Sequence, residues 1–416
     1  MNPTLDIVIF LVIASFVITL LLTLIESIFE ESANKYLYFC IFEFSLLVTV
    51  VNVWYSDILT FSECICFDAI GLLFCFLSVY IFARKNSLVN YIVSSVLFVG
   101  AAACFQQFIS VFSIYTILIL CIKQVQSEKK RIKELVFFYV KPCIFIIVNS
   151  AIYYFVGVLL QKAFNVAPNS RASMSIKTII DNSIYFIKNQ HSFLKGKGFF
   201  STEILTICYL AVAVIFVISL VMFWRKTRQT AKTIFIGLSF MAAYVAAYLP
   251  GLVSTSHGTR TICALFSVFA LFAIGAVALY KNKVLSIVLA CILILVFALN
   301  IYKTVDMGIN QIIGNTKEAE YADSVAYTIE KYEKKNKVAV DNIGITYDKH
   351  SDAEGEALYL DYAIKPLLQI HISNDICFVE TPEGIVNTYF SEKDWQNFDA
   401  EEQIVFDNNT AYICIY

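Results

Sequence analysis

Three groups of residues have the types and placement to do chemistry. Asp57 and Glu63 flank a short segment, WYSDILTFSEC, between two apolar runs. A carboxylate there can deprotonate an acceptor hydroxyl or bind a divalent cation, while a solvated loop charge is the simpler alternative. Gln106 and Gln107 interrupt a long apolar stretch. Their amides both donate and accept, so they can hydrogen-bond a sugar, or equally satisfy backbone groups freed at a helix break. His257 and Arg260 lie in LPGLVSTSHGTR, where another apolar run begins. A guanidinium fork matches a phosphate oxyanion, and the positive end of a helix dipole adds to the attraction. Against that stands an arginine that merely anchors to lipid headgroups. Glu26, Glu43 and Asp68 sit in or beside apolar runs, where any of them can line a cavity, although helix-end or interhelical hydrogen bonding accounts for them with less.

Other chemistries lack their residues. The chain has no GxxxxGK[ST], no GxGxxG after a strand, no HExxH, no GxSxG and no DxD pair, so a nucleotide donor held in a Rossmann pocket is not expected. None of the twelve cysteines forms a CxxC or a Cys/His metal spacing. Only Cys377 and Cys414 are placed to form a bridge in the tail, and two buried free thiols are the preferred reading. The pattern specifies no cofactor and leaves a divalent cation open.

The elements that position these groups follow from composition. With 59% hydrophobic and 15% charged residues, against roughly 25% charged in a soluble domain, a soluble globule is excluded. The net charge of −2 conceals an asymmetry: 22 basic and 12 acidic residues up to Tyr302, then 9 and 21 beyond it. The acidic tail and the pI of about 6.1 exclude a basic nucleic-acid binder. A hydrocarbon core needs roughly 20 apolar residues per helix. Ten runs approach that length: 5–29, 36–54, 64–83, 88–105, 107–122, 135–160, 203–224, 233–249, 261–280 and 284–302. As one helix, 88–122 would extend about 50 Å, too long for one crossing, so a break at Gln106/Gln107 is expected.

Lysine and arginine bias sets the direction. Lys123, Lys129, Lys130, Arg131 and Lys133 cluster in one loop, and Arg225, Lys226, Arg228 and Lys232 in another; Arg84 with Lys85 and Lys281 with Lys283 follow the same alternation. These loops are assigned to the cytoplasm. The opposite side then holds Asp57, Glu63, Gln106 and Gln107, the long loop 161–202, His257 and Arg260, the acidic tail, and the N-terminus. An outward N-terminus without a leader motivates the expectation of a missing upstream span.

Within the long loop, Ile176, Ile179, Ile180, Ile184 and Ile187 recur at helical spacing, which reads as a helix over 175–188 lying in the membrane interface. In the tail, a helix over 316–335 is expected behind a capping box of Asn315 and Glu318. A short helix follows at 357–368, with strands at 337–345, 376–380, 403–406 and 411–416, the last two forming a hairpin. The expected fold is mainly α: a polytopic transmembrane bundle of about ten spans over 1–302, and a small soluble α/β extracytoplasmic domain over 303–416.

The arrangement resembles the serotype-converting O-antigen glucosyltransferase (Gtr-type) family, within the GT-C class of polytopic glycosyltransferases. The resemblance rests on WYSDILTFSE leading into a span, AAACFQQFISVFSIY at 101–115, the outward loop ending in Arg260, and the close of the membrane part into a tail helix. Where the family carries a Tyr-Gln pair, this chain has Phe105 and Gln106. The resemblance implies transfer of a hexose, typically glucose, from a polyprenyl-phosphate carrier to a cell-surface polysaccharide or glycolipid at the outer face of the plasma membrane. It also implies catalytic carboxylates in the first outward loop after the first span, whereas only Asn2, Pro3 and Asp6 stand ahead of the first span here. Either the chain is an N-terminally shortened member lacking its catalytic acid, or another carboxylate, Asp57 or Glu63, takes the role; Gln106, Gln107, His257 and Arg260 are the substrate-binding candidates by their own chemistry. A polysaccharide polymerase or ligase, with Arg171, Lys177, Lys188, Lys195 and Lys197 in the large loop, is the enzymatic alternative. A non-enzymatic export or assembly protein is the other; it predicts internal repeats, and none is evident.

Overall fold

The computed structural model describes residues 3–26, 34–52, 62–84, 87–127, 132–166, 175–195, 202–254, 262–347, 361–373, 375–391 and 399–415. The chain forms two compact units, Met1–Met307 and Gly308–Tyr416.

The first unit is helical. The apolar runs become α1 (Pro3–Glu26), α2 (Lys35–Val50), α3 (Ser62–Arg84), α4 (Leu88–Cys104), α5 (Gln107–Gln126) and α6 (Ile132–Ala163). The loop expected to hold an amphipathic helix gives α7 (Ile176–Lys188) and α8 (Gln190–Leu194), and the remaining apolar runs give α9 (Glu203–Thr227), α10 (Thr230–Ala246), α12 (Leu265–Leu279) and α13 (Lys283–Asn336), with the short α11 (Leu249–Leu252) before α12. Among the described residues, five stretches are long and apolar enough to cross a membrane: Ile65–Arg84, Gln107–Gln126, Tyr139–Ala163, Glu203–Thr227 and Lys283–Asn310.

Burial sorts the helices. α12 is apolar on every side and buried along nearly its whole length, as a central helix must be. α6 leaves Ile144, Ile147, Phe155, Leu159 and Leu160 exposed, a face that suits lipid rather than water. Small residues let helices approach closely. Ser78 Oγ donates to Ser94 O at 2.7 Å and Ser94 Oγ to Ser78 O at 2.9 Å, joining α3 to α4. Gly100 leaves room for the Phe74 ring, which would lie 2.9 Å from an added Cβ. At the other ends, Lys232 donates to Ser127 O at 2.8 Å and Val125 O at 3.3 Å, and Lys123 donates to Ala83 O. Two of the expected topogenic lysines thus also meet terminal carbonyls of α5 and α3.

The second unit holds a four-stranded sheet: β1 (Asn342–Tyr347), β2 (Cys377–Val379), β3 (Ile404–Asp407) and β4 (Thr410–Ile415), in the order β2-β1-β4-β3. β1 runs parallel to β2 and β4, and β3–β4 is the expected antiparallel hairpin, with Asn408 at φ 53° in its turn. The C-terminal part of α13 and α14 (Asp361–His371) supply Val325, Ile329, Ile364 and Leu368 to the core.

Several expectations need correcting. The helix expected at 316 does not start there: α13 runs unbroken from Lys283 to Asn336. No proline interrupts it, so the N–H groups near 316 lie inside the helical ladder and leave no orphan donor for the capping box of Asn315 and Glu318. The first strand begins at Asn342 rather than 337, because Lys337, at φ 56°, ends α13 in the left-handed region. Cys377 and Cys414 are both unbridged, but Cys377 is exposed on the short strand β2 rather than buried.

Candidate functional site

Buried polar groups lie near the starts of α3 and α5 and, deeper in the bundle, at the end of α2. The expected break is present: α4 stops at Cys104, Phe105 is extended at φ −156° and ψ 126°, and α5 starts at Gln107. The two glutamines then differ. Gln106 is exposed, and its Nε2 donates to Tyr153 OH at 3.2 Å. Gln107 is 1% exposed, and neither of its amide atoms has a hydrogen-bond partner among the described residues. Neither side chain caps α5, so relief of freed backbone groups is not what holds Gln107 there. A buried polar group left unmet costs about 1–3 kcal/mol, so this amide is a candidate for contact with a ligand or an ordered water. One turn on, Ser110 Oγ is likewise buried and unmet.

A carboxylate stands at the same level. Gly71 of α3 lies against Phe108 and Cys104, and the Phe76 and Tyr115 rings meet edge to face at 4.8 Å, so α3 and α5 run in the same direction. Asp68 precedes Phe76 by eight residues, and Gln107 precedes Tyr115 by eight. Both therefore lie about 12 Å along their helices from that contact. Asp68 is buried, and close enough to Cys104 to act on it electrostatically. Deeper in the bundle, Tyr115 OH and Thr49 Oγ1 hydrogen-bond at 2.6 Å, tying α5 to α2. Asn52, fully buried at the end of α2, donates to Thr49 O at 2.8 Å.

Chemically, this layer pairs a carboxylate, which can accept a proton, with an amide that can both donate to and accept from a polyhydroxylated ligand. Glu63 lies in the first turn of α3. Asp57, His257 and Arg260, and the side chain of Glu63, lie outside the described residues. Of the six expected site residues, the structure therefore places the side chains of Gln106 and Gln107 alone, the first exposed and bonded to Tyr153, the second buried and unmet among the described residues. Asp68 was set aside by sequence reasoning, although a carboxylate six residues into a span is itself the signal. Thr49 and Tyr115 gave no such signal. Among the described residues no group of three His, Cys, Asp or Glu side chains comes together as a metal site.

The apolar exterior and the spanning-length helices define a helical membrane protein, and its buried polar layer is the candidate site. The sequence profile described as glucosyl transferase GtrII matches residues 1–280 of the 416. The chain belongs to that family of glucosyl transferases, in agreement with the resemblance drawn from its motifs. No curated protein and no solved structure matches it.

Proposed function

We propose that this membrane transferase moves a hexose, glucose, from a polyprenyl-phosphate carrier to a cell-surface polysaccharide or glycolipid on the outer face of the plasma membrane. In this reading the chain crosses the bilayer ten times in a GT-C-like arrangement, its basic loops are cytoplasmic, and its C-terminal α/β domain is extracytoplasmic. The acceptor oxygen attacks the anomeric carbon, the bond from that carbon to the phosphate oxygen breaks, and a carboxylate takes the hydroxyl proton. Asp57 and Glu63 are the outward carboxylates, with Asp68 behind them in the bundle. Arg260, helped by His257, stabilises the departing polyprenyl phosphate, and Gln106 and Gln107 hold the sugar. The lipid tail lies between spans, so only the headgroup needs polar contacts.

The observation that carries this reading is Gln107: a buried, unpartnered amide at the level of a buried carboxylate, in a chain of a glucosyl transferase family. Proteoliposomes supplied with a radiolabelled polyprenyl-phosphate hexose test it. Gln107→Ala should lower transfer at least about tenfold, the equivalent of one hydrogen bond to the transition state, without lowering the unfolding temperature, because the amide meets no partner among the described residues. Arg260→Ala should lower it further. Undiminished transfer by the first variant removes Gln107 from the site, and by the second removes the phosphate role.

A further inference from the structure

α7 is docked with its apolar stripe outward. Ile176, Ile180, Ile184 and Ile187 are 77%, 53%, 46% and 73% exposed, while Asn182 and Phe186 on the opposite face are buried. The inward face is fixed by specific contacts. Asn182 Nδ2 faces three carbonyl oxygens of one turn, Gly251 at 3.1 Å, Leu252 at 2.9 Å and Ser254 at 2.8 Å. The Phe186 ring lies over Gly251, where an added Cβ would come within 2.5 Å of it. One turn further, Gln190 Oε1 accepts from Tyr248 OH at 3.0 Å and from Tyr244 OH. With this face anchored, α7 cannot rotate to bury its isoleucines.

The depth of the segment is fixed as well. His191 and Lys195 each lie 3.0 Å from Glu203, the first residue of the spanning helix α9. The segment is thereby held at the level where a span ends, beside the exposed Ile204 and Ile207 of α9. On a helical wheel Lys177 and Lys188 fall within about 80° of the centre of the isoleucine stripe, both exposed, where their ammonium groups can reach headgroups while the isoleucines sit in the acyl layer. A second copy of the chain would have to desolvate those lysines; a lipid interface does not.

We propose that α7 is a bilayer-seated clamp: its isoleucine stripe rests in the boundary between headgroups and acyl chains, and Asn182 on its other face holds the 251–254 turn in place. The clamp goes beyond the transfer reaction and does not depend on it. The test uses the full chain in nanodiscs with ordinary or brominated acyl chains, comparing Ile180→Trp with the parent protein, whose Trp54, Trp224 and Trp395 set the baseline. The added tryptophan should lose about half or more of its emission in brominated lipid. No added quenching, in a variant that unfolds at the parent's temperature, overturns the lipid seat, as does a dimer that Ile180→Lys converts to monomer. Asn182→Ala should speed amide exchange at 252–254 at least about tenfold while quenching at position 180 persists. Unchanged exchange there overturns the holding role, and neither result depends on the activity of Gln107 or Arg260 variants.

Discussion

In the unit Gly308–Tyr416 the fully buried side chains are mostly apolar, Val325, Ile343, Ile364, Leu368 and Ile413 among them, the buried Gln403 has both amide atoms bonded, to Cys414 O and Asp399 N, and charged residues pair at the surface, as Lys331 does with Glu401. In the unit Met1–Met307 the order is partly reversed. Ser45, Asn52, Ser78, Ser94 and Gln107 are buried, while Val12, Leu88, Ile147, Leu159 and Ile207 face outward. The solvent explains the difference. In water the apolar side chains gain by leaving it; in lipid they gain nothing by burial, so close packing and polar contacts hold the helices together. Several buried bundle hydroxyls and amides turn back to the carbonyl four residues earlier, as Ser45 does to Ile41 O and Asn300 to Val296 O. Ser110, Thr116, Thr206 and Ser267 are buried and unmet as well among the described residues, and Gln107 differs from them in leaving both a donor and an acceptor of one amide without a partner.

The largest effect should come from cutting the core of the water-facing unit. Leu368→Ala removes a fully buried side chain packed among Val325, Ile329 and Ile364, at a cost of about 2–5 kcal/mol. Hydrogen exchange across β1 and β4 in the full-length protein should accelerate accordingly, while α3 and α5 keep their protection. Equal acceleration in both units would show that they unfold together and weaken the comparison.

A smaller effect separates the two surfaces directly. Leu210 in α9 and Ile370 in α14 are both exposed apolar residues. Leu210→Lys should cost about 3 kcal/mol of membrane insertion, read as a fall in inserted protein, while Ile370→Lys should change stability by no more than about 0.5 kcal/mol. If Leu210→Lys inserts normally, that face of α9 does not meet lipid.

The same contrast explains what the sequence made legible. Alternation and turn residues marked the β3–β4 hairpin, and the isoleucine spacing marked α7, with Ser175 capping it through Thr178 N at 3.0 Å. The double glutamine marked the break between α4 and α5 because no single crossing accommodates that run. Element starts were less legible where the helical ladder overrode a local cap, as at Asn315. The site was hardest, because a polar residue inside a span reads identically whether it bonds its own helix, as Asn149 does to Phe145 O, or faces a neighbour, as Asn182 does. Sequence spacing along one helix carries no record of the partner helix. Asp68 was visible as a residue, while its level opposite Gln107 came from the Phe76–Tyr115 contact and the packing of Gly71 against Phe108 and Cys104.

The smallest effect belongs to the surface pairs of the water-facing unit. Lys331 Nζ lies 2.7 Å from Glu401, and the hydrogen bond and charge of that carboxylate raise the lysine pKa above its ordinary value. A raised lysine pKa contributes stability that is fully present at neutral pH and is lost only as pH climbs through the raised value. Both side chains are nevertheless in water, where screening and the entropy of holding two long chains cancel most of the attraction. Lys331→Ala should therefore leave the unfolding temperature unchanged at neutral pH, and added salt should make no difference. A measurable drop, restored by Lys331→Arg, would mean that this unit draws on its surface charge as well as its apolar core, and would narrow the distance between the two units.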